Sequence, residues 1–225
     1  MELLSQCLHV LSKDMLQEWR SRSRFAAVFS FGLTTLLLFS FGAGADTSVL
    51  RGNAPGYLWL ALLLMSTLSL AESFRVEEQN GAMEGLLLLP IDPRAIYYGK
   101  AVANLVVLAT LGALMVPITV VLYDAELKMG IGRLLLVVLL GCAGLCAPGT
   151  LYAAMASRAR GRDVMLPLLL FPLVVPALLS SVRATSLVMT GDPMDQMGGW
   201  IGLLTAFDVL YWSLCGVLFG RVVED

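Results

Sequence analysis

The sequence predicts an all-α membrane protein with six transmembrane helices. Hydrophobic residues make up 58% of its 225 residues, whereas soluble domains carry about 45–50%. Charged residues make up only 14%, against about 25% in soluble domains. Six stretches are long enough to cross a hydrocarbon core about 30 Å thick, which takes on the order of 20 helical residues. Length and composition together predict one membrane domain over residues 1–225, with no attached soluble module.

Five of the six predicted spans have apolar interiors. They cover residues 25–45, 53–73, 101–123, 134–157 and 164–182. The sixth, residues 200–220, requires that Asp208 be tolerated in lipid. Because a charge at mid-depth costs roughly 2.5–3.5 kcal/mol, we expect Asp208 to face protein, paired with Arg183 across the extracytoplasmic mouth, as a candidate functional residue. The alternative is an interfacial acid at the edge of a span that starts later.

Eleven of the 15 lysine and arginine residues fall on one side of these spans. Short cytoplasmic loops retain Lys and Arg, so this side is predicted to be the cytosol. An even number of spans places both termini there.

Residues 1–24 are predicted to form a surface helix. One apolar stripe recurs at helical spacing and consists of Leu4, Leu8, Leu11, Met15 and Trp19. Polar residues fall elsewhere on the wheel, namely Gln6, Lys13, Asp14 and Gln17. We predict an interfacial helix anchored at the cytosolic headgroups. A helix that packs on a partner's soluble surface would make the same pattern.

The largest cluster of charge lies between the second and third spans. Residues 76–90 suit a short amphipathic helix on the membrane surface. Its acidic residues are Glu77, Glu78 and Glu84, and its apolar run is Leu86, Leu87, Leu88 and Leu89. A solvated loop with scattered acids is the alternative. A chain with so few catalytic side chains is expected to take its energy from a partner.

Nucleotide and metal chemistry are not expected on this chain. Gly99-Lys100 lacks the upstream Gly and the following Ser or Thr of a phosphate-cradling loop, so Lys100 is predicted to mark the cytosolic start of the third span. His9 is the only histidine, and a metal site normally has several converging ligands. Cys142 and Cys146 share a helix face, where free cysteine behaves as a small hydrophobe.

Two further classes of function are also disfavoured. A net charge of −2 without a basic patch argues against a nucleic-acid partner. An intramembrane enzyme needs paired acids or histidines within its spans, and only Asp208 is available. We therefore predict no catalytic, cofactor-binding or metal-binding residue, and a protein that is not an enzyme.

The fifth span contains a hinge candidate. Pro167, Pro172 and Pro176 lie within ten residues, and each removes a helix hydrogen bond and bends the axis. This span is predicted to be locally broken or to pivot.

Residues 72–104 resemble the first cytoplasmic loop of the type-2 ABC exporter permeases. The features that carry the likeness are an acidic pair, Asn80-Gly81, Glu84, a leucine run, a proline turn and Gly99-Lys100. Within that group the chain is similar to the CcmB family, the haem exporter B proteins of cytochrome c maturation. Residues 147–151 and the proline-rich residues 166–179 add to the resemblance, whereas residues 177–181 are less aromatic than the family pattern.

This resemblance implies a type-2 ABC exporter permease fold in the bacterial inner membrane, with two permease copies per complex. Family members pair with a separate ATP-hydrolysing subunit, CcmA, and work beside CcmC and CcmD, which handle haem and its carrier CcmE. ATP would bind the partner and haem would be handled by the complex, with no cofactor assigned to this chain. Residues 76–90 would be the coupling helix docked into the ATPase, through Glu77, Glu78, Gly81, Glu84 and the leucines at 86–89.

The implied function is to couple ATP hydrolysis by the partner to haem export or to release of haem-loaded carrier. The alternatives are a non-transporting membrane scaffold of that complex and a type-2 ABC permease for another substrate.

Overall fold

The computed structural model describes residues 2–44, 46–79, 92–158 and 162–224. The regular structure in these ranges is helical and comprises α1 (Glu2–Arg20), α2 (Arg22–Gly42), α3 (Thr47–Gln79), α4 (Pro93–Leu122), α5 (Ile131–Arg158), α6 (Arg162–Thr190) and α7 (Met197–Glu224). Six of these helices, α2 to α7, are long and apolar enough to cross a membrane. The predicted six-span helical membrane fold is therefore confirmed.

Helix α4 extends well beyond the span predicted for it. It begins at Pro93 rather than at residue 101, because the Asp92 side chain accepts a hydrogen bond from the Arg94 N–H (2.9 Å) and caps the helix. Proline suits the first helical position because its missing N–H would be unpaired there. The 30 residues of α4 span about 45 Å, more than a hydrocarbon core of about 30 Å. One end of α4 therefore projects past the core.

The two ends of the helical bundle are distinguished by the residues that meet there. At one end α1 meets the start of α4, and we name this the α1 end. At the other, Arg51 pairs with Asp124 and lies 3.8 Å from Glu126, and we name this the Arg51 end.

Helix α5 is the centre of the bundle and packs against α3, α4, α6 and α7. Glycines permit this close contact. A Cβ atom at Gly141 would lie 2.0 Å from Cη2 of Trp59 and 2.6 Å from Oγ of Ser181. A Cβ atom at Gly149 would lie 2.5 Å from Cδ1 of Leu70. A larger residue at either position would require the facing side chain, Trp59 or Leu70, to move.

Aromatic side chains tie the helices together through their polar atoms, which need partners when buried in an apolar surrounding. Three such bonds run from Trp59 Nε1 to Thr185 Oγ1 (2.9 Å), from the Tyr97 hydroxyl to the Ala147 carbonyl (3.0 Å) and from Trp212 Nε1 to the Ala143 carbonyl (3.2 Å). Two of the three acceptors lie on α5, so hydrogen bonds as well as close contact hold the central helix.

The three prolines of the fifth span do not interrupt it. Helix α6 is continuous from Arg162 to Thr190 with Pro167, Pro172 and Pro176 inside. Pro172 and Pro176 are exposed on the outer surface. The predicted local break is therefore wrong, because a helix in lipid can keep its course around an outward-facing proline. A pivot at these residues remains a prediction.

Substituting Gly141 with alanine should destabilise the bundle by about 1–3 kcal/mol, the usual effect of overfilling a close contact. Gly132→Ala on the same helix is the matched control, because nothing lies within 4 Å of a Cβ atom there. Thermal unfolding of the purified chain in detergent measures both. A midpoint for Gly141→Ala equal to that of Gly132→Ala would contradict the close approach of Trp59.

Candidate functional site

The predicted coupling residues lie largely outside the described part of the chain. Glu77 and Glu78 belong to the last turn of α3, but their side chains are not described. Gly81, Glu84 and the leucines at 86–89 also lie outside the described residues. The surface helix over residues 76–90, which we call the coupling segment, therefore remains a prediction. The residues that flank it on both sides are described, and they contact each other.

Phe74 and Lys100 join the two flanks of the coupling segment. Lys100 Nζ lies 4.7 Å from the centroid of the Phe74 ring, a cation–π contact. Both side chains are buried, with exposed fractions of 2% for Phe74 and 1% for Lys100. This contact therefore holds α3 and α4 together, with one residue before the coupling segment and one after it.

The Lys100 ammonium also reaches α1. It lies 3.2 Å from Oδ2 of Asp14, whose other carboxylate oxygen is 3.1 Å from Lys13 Nζ. A buried ammonium requires such a partner, because an unpaired charge away from water is very costly. Lys100 therefore lies two turns inside α4 and acts as a buried ion-pair partner. Because one end of α4 projects past the hydrocarbon core, the interpretation that Lys100 marks the cytosolic start of the third span stays a prediction.

Contacts between α1 and α4 follow one another along both helices. Gln6 Oε1 accepts a hydrogen bond from the Asp92 N–H (3.2 Å), and further along α1 the Asp14 carboxylate pairs with Lys100. Between them, a Cβ atom at Gly99 would lie only 2.7 Å from Cβ of Val10. Glycine at position 99 thus lets the two helices touch.

This arrangement adds a contact that the prediction of a surface helix did not include. Helix α1 packs lengthwise on α4, and its polar residues Gln6 and Asp14 contact the bundle. The apolar stripe points outward at Leu4, Leu8 and Trp19, which are exposed. Such a stripe, beside the overhanging start of α4, suits the headgroup region of a bilayer.

One signal for this contact was present in the sequence. Asp92-Pro93 is a helix-start pattern, which places Gly99 and Lys100 inside a helix rather than at its edge. The partner of Lys100 could not be read in the same way, because Asp14 lies 86 positions away.

An ion pair joins the second half of α1 to the start of α2. Glu18 pairs with Arg24 across the turn at Ser21. On α1 itself, Cys7 is half-buried, and its backbone carbonyl would lie 3.0 Å from a Cβ atom at Gly99. Burial raises the pKa of the Cys7 thiol, so its ionisation reports whether α1 is docked.

Asp208 lies deep in the bundle. It follows the start of α7 at Met197 by about 17 Å of helix, and its side chain is only 8% exposed. A Cβ atom at Gly144 of α5 would lie 3.0 Å from Oδ1 of Asp208, so the carboxylate faces α5. The expectation that Asp208 faces protein is therefore confirmed, and its depth in the membrane stays a prediction.

The Asp208 carboxylate has no hydrogen-bond partner among the described residues, and the same holds for the buried Ser181 hydroxyl. The expected pairing with Arg183 is wrong, because Arg183 is exposed and its guanidinium does not reach the carboxylate. An unpartnered acid inside a membrane protein is costly and marks a candidate functional position.

A cavity of about 300 Å³ opens beside the last described turns of α3, between α3, α5 and α6. Its wall contains Glu72 and Arg75, which pair with each other (Nε to Oε2, 2.9 Å). The remaining wall is apolar or small, with Ala71, Ala153 and Ser157 among its residues. Glu72 and Arg75 also line a second space, of about 550 Å³, beside the start of α2.

No group of three or more metal-binding side chains converges within the described ranges. His9 Nδ1 contacts the Ser5 carbonyl of its own helix (2.7 Å). Cys142 and Cys146 are buried free thiols on α5.

Comparison with known proteins gives one consistent result. A profile of the family described as CcmB protein matches residues 5–223. Heme exporter protein B of Rhodobacter capsulatus is 31% identical over 170 residues, which cover 76% of this chain and 78% of the relative. Heme exporter protein B of Paracoccus denitrificans is 30% identical over 189 residues, covering 84% and 86%. Heme exporter protein B of Pseudomonas aeruginosa is 27% identical over 197 residues, covering 88% of each chain.

Lys100→Met should release α1 from α4. The Cys7 thiol then becomes more exposed, its pKa falls towards the ordinary value, and a larger fraction is the reactive thiolate at any given pH. We expect alkylation of Cys7 to be faster on the order of tenfold, since breaking a buried ion pair costs a few kcal/mol. The measurement is the alkylation rate of the Cys7 peptide across a pH series, by mass spectrometry on the folded chain.

Asp14→Asn tests the same pair from the α1 side and should give the same acceleration. The matched control is Lys128→Met, which removes an exposed lysine at the Arg51 end. Rates that stay at the wild-type value in both pair variants, or that rise equally in the control, would contradict docking through Lys100.

Asp208→Asn should leave the thermal midpoint unchanged or raise it. The amide has the shape of the carboxylate but no charge, and burying it costs less. Asp14→Asn, the same chemical change at a paired acid, should lower the midpoint. A fall of more than about 4 °C for Asp208→Asn, or about 1 kcal/mol in a chain of this size, would indicate a stabilising partner for the carboxylate.

Proposed function

This chain belongs to the CcmB protein family, and from this membership we propose that it is the membrane permease subunit of an ATP-driven complex for c-type cytochrome biogenesis. Its relatives in Rhodobacter capsulatus and Paracoccus denitrificans bear the name heme exporter protein B. In the proposal, ATP hydrolysis by a partner drives haem export, or the release of a haem-loaded carrier, through rearrangement of the six membrane helices.

One structural observation supports this proposal above the others. Phe74, before the coupling segment, contacts Lys100, after it, and the same lysine pairs with Asp14 of α1. A force applied to the segment would therefore act on α3, α4 and α1 together. A freely hinged loop would instead absorb the force by bending.

The partner in this proposal is a separate ABC ATPase of the CcmA type, into which the coupling segment docks. Glu77, Glu78 and Glu84 provide negative charge for basic residues of the ATPase, Gly81 permits a close turn, and the leucines at 86–89 provide apolar contact. Two permease copies and two ATPases form the core of the complex, beside CcmC-like and CcmD-like subunits. Closure of the ATPases then rocks the two bundles against each other.

We assign the α1 end to the cytoplasmic face of the bacterial inner membrane, with both termini on that side. Basic residues gather at the α1 end, among them Arg20, Arg22 and Arg75. Cytoplasmic segments near spans carry such an excess of positive charge. This orientation presents the coupling segment to an ATPase in the cytosol.

In this proposal Asp208 belongs to the part of the bundle that rearranges when the ATPases close. It lies on α7 and faces α5, and its carboxylate has no hydrogen-bond partner among the described residues. A shift of α7 against α5 would change its surroundings more than those of a paired acid. We therefore place it, with the prolines Pro167, Pro172 and Pro176 of α6, in the part of the bundle that rearranges.

Reversing Glu77, Glu78 and Glu84 to lysine should weaken association with the ATPase. Close pairs of opposite charge across an interface become like-charge contacts, which cost several kcal/mol, so co-purification of the ATPase from detergent-solubilised membranes should fall by at least about tenfold. A matched reversal at the Arg51 end, Glu126→Lys with Asp195→Lys, should leave co-purification unchanged. Undiminished co-purification of the triple variant would contradict docking through this segment.

A further inference from the structure

A second groove lies at the α1 end. It has a volume of about 470 Å³ and is bounded by α1, the start of α2 and the middle of α4. Its wall is formed by Met15, Glu18, Trp19, Arg22, Phe25, Val106, Val107 and Thr110. The proposed coupling to an ATPase makes no use of this groove.

The groove is apolar although three of its residues carry polar groups. The Thr110 hydroxyl donates to the Val106 carbonyl of its own helix (2.7 Å), so its hydrogen bond is made within α4. The Glu18 carboxylate pairs with Arg24, so its charge is neutralised. The inner wall is therefore suited to a hydrocarbon chain.

The rim of the groove is positively charged. The guanidinium of Arg22 lies 5.9 Å from the centroid of the Trp19 ring, and both side chains are exposed, Trp19 to 74%. No carboxylate of the described residues lies within ion-pair distance of Arg22, because Glu18 pairs with Arg24 instead. Tryptophan beside arginine, at the start of a span, is typical of the headgroup level of a bilayer.

We propose that this groove binds one anionic phospholipid. The phosphate lies on Arg22 at the rim, beside the edge of Trp19, and one acyl chain lies along Phe25, Val106 and Thr110. A zwitterionic lipid offers the same chain but no net negative charge, so the site selects the anionic headgroup. The bound lipid fills the angle between α1, α2 and α4 and holds α1 against the bundle.

The test measures which lipid contacts Trp19. The purified chain is placed in phosphatidylcholine bilayers that contain a small fraction of lipid with brominated acyl chains, which quench nearby tryptophan. Subtracting the signal of Trp19→Phe removes the contribution of the chain's other tryptophans. Brominated phosphatidylglycerol should quench Trp19 at about fivefold lower mole fraction than brominated phosphatidylcholine, the effect of one arginine near a charged headgroup.

Two variants locate the site. Arg22→Gln should reduce this selectivity to about one, whereas Arg133→Gln, which removes an exposed arginine at the Arg51 end, should leave it unchanged. Thr110→Phe fills the inner wall and should weaken quenching by either lipid. Thermal midpoints of all variants confirm that the fold is intact.

Three results would overturn the proposal. Equal quenching by both brominated lipids would mean ordinary annular lipid. An equal loss of selectivity in Arg22→Gln and Arg133→Gln would mean a general surface potential. Displacement of the brominated phosphatidylglycerol by millimolar glycerol phosphate would mean an anion site that does not require the acyl chain.

Discussion

The buried ammonium of Lys100 is the interaction on which the arrangement of the α1 end depends. A lysine that is 1% exposed requires compensation, and it takes this from Asp14 of α1 and from the ring of Phe74 at the end of α3. Because the three contributors come from three helices, one charge fixes α1, α3 and α4 relative to each other. Gly99, the preceding residue, allows α1 to come close enough for the pair to form.

The rest of the bundle is organised around α5, by close packing and hydrogen bonds rather than by an ion pair. Small residues on α5 let neighbouring helices approach, and aromatic N–H and O–H groups donate to its carbonyls. Within lipid there is little hydrophobic drive between helices, so such contacts and hydrogen bonds carry the association. Asp208 faces the same helix, and its carboxylate has no hydrogen-bond partner in the described part of the chain. The contrast with the hydrogen-bonded aromatic groups on the same helix makes this residue a candidate for function.

Much of the fold could be predicted from the sequence, because lipid imposes a simple rule on length and polarity. Span number and type follow from apolar runs, and the helical nature of residues 2–20 followed from the spacing of Leu4, Leu8 and Trp19. Helix ends were less accessible, since Pro93 and Met197 start helices earlier than hydropathy suggests. Pro172 and Pro176 were misread as a break because their outward direction depends on how α6 is rotated in the bundle.

Only part of the candidate site could be predicted from the sequence, and the reason is physical. The acids of the coupling segment stand out by composition, but the contacts that anchor the segment join residues far apart in the chain. Asp14 and Lys100 are separated by 86 positions, and neither is unusual in its local sequence. Likewise, Asp208 can be recognised in the sequence as an acid in an apolar run. Its contact with Gly144 cannot be predicted, because nothing in the sequence around Gly144 indicates that α7 packs there.

The central claim is that the coupling segment is the surface by which a partner ATPase moves this bundle. A photo-crosslinking residue at Leu87, tested in intact membranes that contain the whole complex, examines this most directly, with Met194 at the Arg51 end as the matched position because it is 77% exposed. The account predicts that the probe at position 87 crosslinks to the ATPase and that the probe at 194 does not. Crosslinking to the ATPase from position 194, with none from position 87, would contradict it.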